Sequence, residues 1–207
     1  MRTLALALLI TTAARAEIVD RIVATVGRAV ITDSMVRRSL RATALLARAP
    51  LNESPAVWEE ARNRMIEQAL VKEEIRISRY PVAQPDEVRA SLDQVRAQLG
   101  GDAQYANALR EYRLTEDNLA NDLGWRLSFA RFLAYRFRPA VQITDEALLA
   151  FYAKWTPEGV KPPFEEARER VEAAYAEAES VRFLDQWLRE ARQQTRIETF
   201  EPKGMRR

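Results

Sequence analysis

Six glutamates in the last third of the chain, Glu165, Glu166, Glu169, Glu172, Glu177 and Glu179, are of a type and spacing that could do acid–base chemistry. That chemistry needs paired carboxylates whose surroundings push their pKa values apart. These six sit among arginines on a helical pattern, where i,i+4 pairing and water account for them, so they read as a solvated face. The chain has no histidine and no cysteine. This removes Cys/His metal sites, Ser–His and Cys–His nucleophile pairs, thiol chemistry and a histidine switch near neutral pH. No catalytic centre is recognisable, and neither cofactor nor metal is implied; the reading is of a protein that is not an enzyme.

The second set is apolar and adaptable. Met35 and Met65 carry flexible thioethers, and the aromatics Trp125, Phe129, Phe132, Phe151, Tyr152 and Trp155 cluster in two stretches, with Trp187 beyond them. Most large aromatics belong to a core. Helices of unequal length, however, cannot enclose this much apolar surface, so part of it is expected to line a concave patch, with Met35, Met65, Trp125, Phe129, Phe132, Phe151, Tyr152 and Trp155 as its candidate lining. Such a lining takes apolar side chains out of water, and unbranched thioethers tolerate varied shapes.

Residues that act this way need a scaffold. The chain has 207 residues, 47% hydrophobic and 30% charged, with only six glycines; these figures favour one mainly helical domain over a disordered tract or a turn-rich β fold. Arg2, the apolar run TLALALLITTA and Ala14-Arg15-Ala16 before Glu17 follow the pattern of a secretory signal over 1–16, with cleavage expected between Ala16 and Glu17. The run is too short to span a bilayer, which takes roughly 20 apolar residues, and no later stretch is apolar enough. The expected product, 17–207, is a soluble exported domain with no membrane span and no disulfides, held by core packing alone. Residues 1–16 carry Arg2 and Arg15 and no acid, so 30 of the 32 basic side chains remain against 30 acidic ones. A balanced charge gives no support to a nucleic-acid partner.

The elements follow from local chemistry. IVDRIVATV and AVIT flank Gly27-Arg28 as a hairpin over 18–32, glycine first as a type II′ turn prefers. Thr32 or Asp33 is placed to cap a helix whose apolar side includes Met35, Val36, Leu40, Ala44 and Leu45. Ser54 and Pro55 open PAVWEEARNRMIEQALVKEEIRIS, with Trp58, Ala61, Met65, Ala69 and Lys72 on one face and Ile66, Leu70 and Ile77 widening it. Pro81 and Pro85 separate this helix from the next, which closes at Gly100-Gly101. Asp102 and Thr115 start two more. In the second, Leu119, Leu123, Leu127, Ala130 and Ala134 form one ridge, and Trp125, Phe129 and Phe132 another. Thr144 caps a short helix with Leu148, Leu149, Phe151, Tyr152 and Trp155, and TPEGVKPP, 156–163, reads as a linker. A single helix from Phe164 to about Gln194 presents Ala167, Val171, Ala174, Ala178, Val181, Leu184, Leu188 and Ala191. The last β-prone piece, TRIETF, needs a sheet, and the N-terminal hairpin is the only one on offer.

This order of elements resembles the SurA family of periplasmic chaperones. The matching stretches are IVDRIVATVGRAVITDSMV at 18–36, RMIEQALVKEEI at 64–75, LTEDNLANDLGWRL at 114–127, VQITDEALLAFY at 141–152 and FEEARERVEAAYAEAESVRFLDQWLREARQQTRIE at 164–198. They cover nearly all of 17–207, which the resemblance divides into an N-terminal part at 17–155, the linker, and a C-terminal helix and strand at 164–200. In that family one or more parvulin-type prolyl isomerase domains stand between the short helix and the final long helix. Here that interval is 156–163, too short to hold a domain, so the resemblance implies the chaperone half alone.

The expected fold is thus mainly α, a multi-helix module with a small N-terminal β-hairpin paired to a C-terminal strand. The resemblance implies a periplasmic, ATP-independent holder of unfolded or extended polypeptides, outer-membrane proteins among them. The alternative is a structural or assembly module whose groove takes one fixed partner or a second copy of the chain as a homodimer; a prolyl isomerase ranks third.

Overall fold

The computed structural model describes residues 20–157 and 159–200. The signal reading of 1–16, the Ala16–Glu17 junction and the first two residues of the expected hairpin lie outside them. Strands β1 (Ile22–Val26) and β2 (Ala29–Thr32) form the hairpin, and Val26 pairs with Ala29 across the two-residue turn. Gly27 alone of the two turn residues has positive φ, 56°, the pattern of a II′ turn.

Seven helices follow among the described residues: α1 (Asp33–Ala47), α2 (Pro55–Ser78), α3 (Pro85–Gln98), α4 (Asp102–Glu111), α5 (Glu116–Arg136), α6 (Asp145–Lys154) and α7 (Phe164–Gln194). A single 3-10 turn at Arg138–Ala140 joins α5 to the α6 side. The chain then enters β3 (Ile197–Thr199). The sheet order is β2-β1-β3, and Ala24, Thr25 and Val26 pair antiparallel with Thr199, Glu198 and Ile197. Gly27 N donates to Arg196 O and Phe200 N to Val23 O, both at 2.9 Å. Those flanking bonds make Thr25 and Glu198 the pair that exchanges both backbone bonds. The architecture is therefore mainly α with the N-terminal hairpin paired to the C-terminal strand.

Caps set the helix starts. Thr115 Oγ1 accepts from Asn118 N at 3.2 Å while Asn118 Oδ1 accepts from Thr115 N, a reciprocal capping box. Thr144 Oγ1 likewise accepts from Ala147 N. For α1 neither Thr32 nor Asp33 supplies the cap. Asp20 does so from ahead of β1, accepting Ser34 N at 3.1 Å and the Ser34 hydroxyl. Asp33 is engaged elsewhere: its carboxylate accepts the Trp58 indole N–H and Arg37 Nε, both at 2.9 Å, which ties α1 to α2.

Among the described residues three apolar clusters hold the fold. The largest gathers the hairpin, the start of α1, α2 from Trp58 to Ile75, Phe132 of α5, and Leu184 and Leu188 of α7, with Phe137 just past α5. A second joins Ala42 and Leu45 of α1 to α3, α4 and the start of α5. The third is small, Leu148 of α6 against Ala167 and Val171 of α7, with Phe151, Tyr152, Trp155 and Phe164 around them. Here the linker is clasped: Tyr152 Oη donates to Pro162 O at 2.6 Å, and Phe164 meets the Tyr152 ring edge-on at 5.3 Å.

Several expected apolar faces are rotated. On α2, Ile77 is 62% exposed and Val71 and Ile75 are buried instead. On α5, Ala130 and Ala134 face solvent, and Ser128 is buried, its hydroxyl donating to Gly124 O and accepting from Ala83 N. On α7, Ala178 and Val181 point outward while Ala176 and Ser180 face the core. An α-helix of 31 residues packs on different neighbours at its two ends, so its buried stripe does not follow one straight line.

Two outcomes follow from this packing. Glu198→Pro removes one bond of the Thr25 pair and is expected to lower stability by about 1–3 kcal/mol, against about 0.5 kcal/mol or less for Glu198→Ala, read by urea denaturation. Burial pushes the Tyr105 phenol up to about 12, the Glu116 carboxylate adding to the effect. In the unfolded chain it titrates near 10, so the fold's preference for the neutral phenol is fully present below pH 10 and lost as pH rises toward 12. Stability of Tyr105→Phe against pH should be flatter than wild type across that interval.

Candidate functional site

One stripe of α2 floors two open grooves. Met65, Gln68, Ala69, Lys72 and Arg76 follow helical spacing, which places them on one side of the helix, and Arg79 follows as its C-cap. The stripe begins apolar and turns cationic. From Met65 to Arg79 it runs about 21 Å at ~1.5 Å per residue, the reach of about six residues of extended chain at ~3.3 Å each.

Toward its N-terminal end the stripe floors a groove of about 770 Å³, walled by the hairpin from Val26 to Ile31, by Met35 of α1, and by Ala191 and Gln194–Arg196. The β1–β3 pairing sets the last of those walls. Toward the C-terminal end it floors a wider groove of about 1050 Å³, bounded by the Tyr80–Pro85 connector, by Val88 of α3 and by Gly124, Trp125 and Ser128 of α5. The connector is held in place by Ser128, which accepts Ala83 N at 3.0 Å, and by Arg131, which donates to Val82 O at 2.6 Å. A smaller cleft of about 310 Å³ lies between α2, α5 and α7 and is lined by Met65, Trp125, Phe129 and Leu188.

Lys72 and Trp125 stand where these spaces meet, Lys72 lining both large grooves and Trp125 the wider groove and the cleft. Lys72 Nζ is 5.2 Å from the centre of the Trp125 ring. With its amide oxygen turned toward them, Gln68 accepts from Lys72 Nζ at 3.2 Å and from Trp125 Nε1 at 3.3 Å. Lys72 retains open surface, yet the surrounding walls partly desolvate its ammonium and lower its pKa from the ordinary lysine value, Asp122 pulling the other way.

The eight sequence-derived residues divide into three groups. Met35, half-buried, and Met65 line the first groove, and Trp125 and Phe129, both half-buried, meet at 5.5 Å beside the cleft. These four share one neighbourhood. Phe132 does not belong with them: it is fully buried, with Tyr80, Phe137 and Trp187 at 5.5–5.7 Å around its ring. Helical spacing put it beside Phe129, but a step of three residues turned it into the core. Phe151, Tyr152 and Trp155 lie in the α6–α7 cluster and line none of the three openings. Val171 there and Leu184 in the main core are 13 residues apart on α7, about 20 Å along the axis.

Gln68, Arg76 and Arg79 were absent from the sequence-derived lining, although their spacing from Met65 was visible. Nothing local to α2 says which of its faces the hairpin and α5 leave uncovered. Among the described residues no helix is long and apolar enough to cross a membrane. No protein-family model matches the chain, and no curated protein matches it.

The division between core and groove aromatics is measurable. Phe132→Ala is expected to cost about 3–5 kcal/mol of stability. Tyr135→Ala, at a 62% exposed position of the same helix, should stay within about 0.5 kcal/mol; thermal denaturation of the two variants separates them.

Proposed function

We propose that this chain is an ATP-independent holding chaperone of the periplasm that keeps unfolded or extended polypeptides, outer-membrane proteins among them, from aggregating. The observation that carries this reading is the single stripe of α2 that floors two open grooves over about 21 Å, between walls to which α1 gives the half-buried Met35 and α5 the half-buried Trp125. A closed core would have no such stripe, and an enzyme pocket would converge on a few polar groups around one point. An open trough with thioether and aromatic walls suits weak, sequence-tolerant contact, because apolar client side chains leave water without any fixed hydrogen-bond pattern being required.

The resemblance of the VITD, LTEDNL and ITDEAL stretches to the SurA family supports the same reading, since these residues form the α1 entry and the starts of α5 and α6. The interval 156–163 that would hold an isomerase in that family lies between α6 and α7 as a short connection, so holding is proposed without isomerisation. The chemistry is reversible burial of client surface, with release driven by the client's own folding or transfer.

The measurement is an aggregation assay in which an unfolded outer-membrane protein is diluted with and without the chain, no ATP being added. Light scattering should fall in its presence, and Trp125→Ala should bind model peptides about tenfold more weakly while circular dichroism shows the helices intact. Equal scattering in both arms sinks the holding activity. One tight partner in a peptide array, or an obligate dimer, marks an assembly module instead.

A further inference from the structure

The charge lining the two grooves is not balanced as the whole chain is. Among the described residues Arg28, Lys72, Arg76, Arg79, Arg89 and Arg196 line them, against two carboxylates, Glu73 and Glu116. Both carboxylates are already engaged, Glu73 by Arg76 at 2.5 Å and Glu116 by Arg96 at 3.1 Å. Arg89 and Arg196 have their own partners outside the lining, Asp86 and Glu198. Lys72 and Arg79 form no ion pair among the described residues, and Arg28 feels Glu73 only at longer range. Among the described residues the two grooves therefore present three cations in excess, spread from the hairpin tip to the C-terminal end of α2, beside the apolar walls of Met35, Met65 and Trp125.

We infer that the grooves discriminate among extended polypeptides by charge, taking segments in which aromatic or apolar residues alternate with aspartate or glutamate and rejecting those with lysine or arginine. This rests on the holding reading and adds selectivity to it. Apolar contact provides adhesion without preference, whereas like-charge juxtaposition with Arg28, Lys72 and Arg79 penalises cationic segments. The chain's own remaining segments are mismatched to this lining: residues 201–207 carry three cations and one acid, and residues 1–19 two cations and one acid. A separate acidic polypeptide is the complementary occupant.

The test is isothermal titration calorimetry of the full chain with three octapeptides of identical aromatic content, whose intervening residues are glutamate, serine or lysine. At low ionic strength the glutamate peptide should bind about tenfold more tightly than the lysine peptide, with the serine peptide between them, and the spread should shrink in about 0.5 M salt. Arg28→Gln/Arg79→Gln, both positions being exposed, should compress the spread to about threefold or less, the glutamate peptide losing affinity and the lysine peptide gaining it. Equal binding of the glutamate and lysine peptides, or an undiminished spread in the double variant, overturns the inference and leaves holding intact. Binding of none of the three overturns holding as well.

Discussion

A two-stranded hairpin exposes one apolar face and two unpaired edges and does not persist alone in water. In this molecule β1 is rescued by a strand about 170 positions away in sequence, and much else depends on that contact. Closing so long a loop has an entropic cost that grows only logarithmically with its length, and the intervening helices repay it through the large cluster that joins the hairpin to α1, α2, α5 and α7. The same contact brings Gln194–Arg196 beside the hairpin turn, so one face of the groove is built by the pairing itself. Fold and opening are in this sense one construction.

With no cysteine to cross-link it, the chain joins its helices through arginine. Arg37 donates to Asp33 and Glu53, and Arg41 shares Glu53; Arg136 binds Glu74 and lies across Phe137 and Trp187; Arg192 reaches Glu67 between α7 and α2. Arginine outnumbers lysine 28 to 4, which fits this use, because a planar guanidinium can grip a carboxylate and stack on a ring at once. Exposed pairs of this kind contribute little individually. The half-buried ones set how neighbouring helices are registered, and so where the openings between them fall.

Much of this architecture was legible in the chain. Pro55 and the residues before Arg79 bound α2 as the sequence suggested, as do Phe164 and Gln194 for α7, because proline, cap residues and linker composition act locally. The terminal pairing was legible by elimination, since only three segments were β-prone. The rotation of each helix was not. Ile77, Ala130, Ala134, Ala178 and Val181 have the composition of core residues and lie outside it, for which the neighbours rather than the period decide. Likewise the aromatics of α5 and α6 looked like one set, but α7 holds the α6 group at a distance that no sequence spacing between 132 and 151 encodes. The cations beside the groove gave no common signal, because Arg28 stands in a turn and Lys72 shares the apolar face of α2 until two other elements rise on either side of them.

The clasp at the α6–α7 junction has a consequence for how such chains change over time. Tyr152 grips Pro162 and Phe164, which brings the end of the 156–163 connection back beside the helix it leaves. That junction is a natural splice point: foreign sequence let in there would lengthen a tethered bight rather than pry helices apart, at an entropic toll of about 0.6 kcal/mol for each doubling. The body of the protein would not register the visitor.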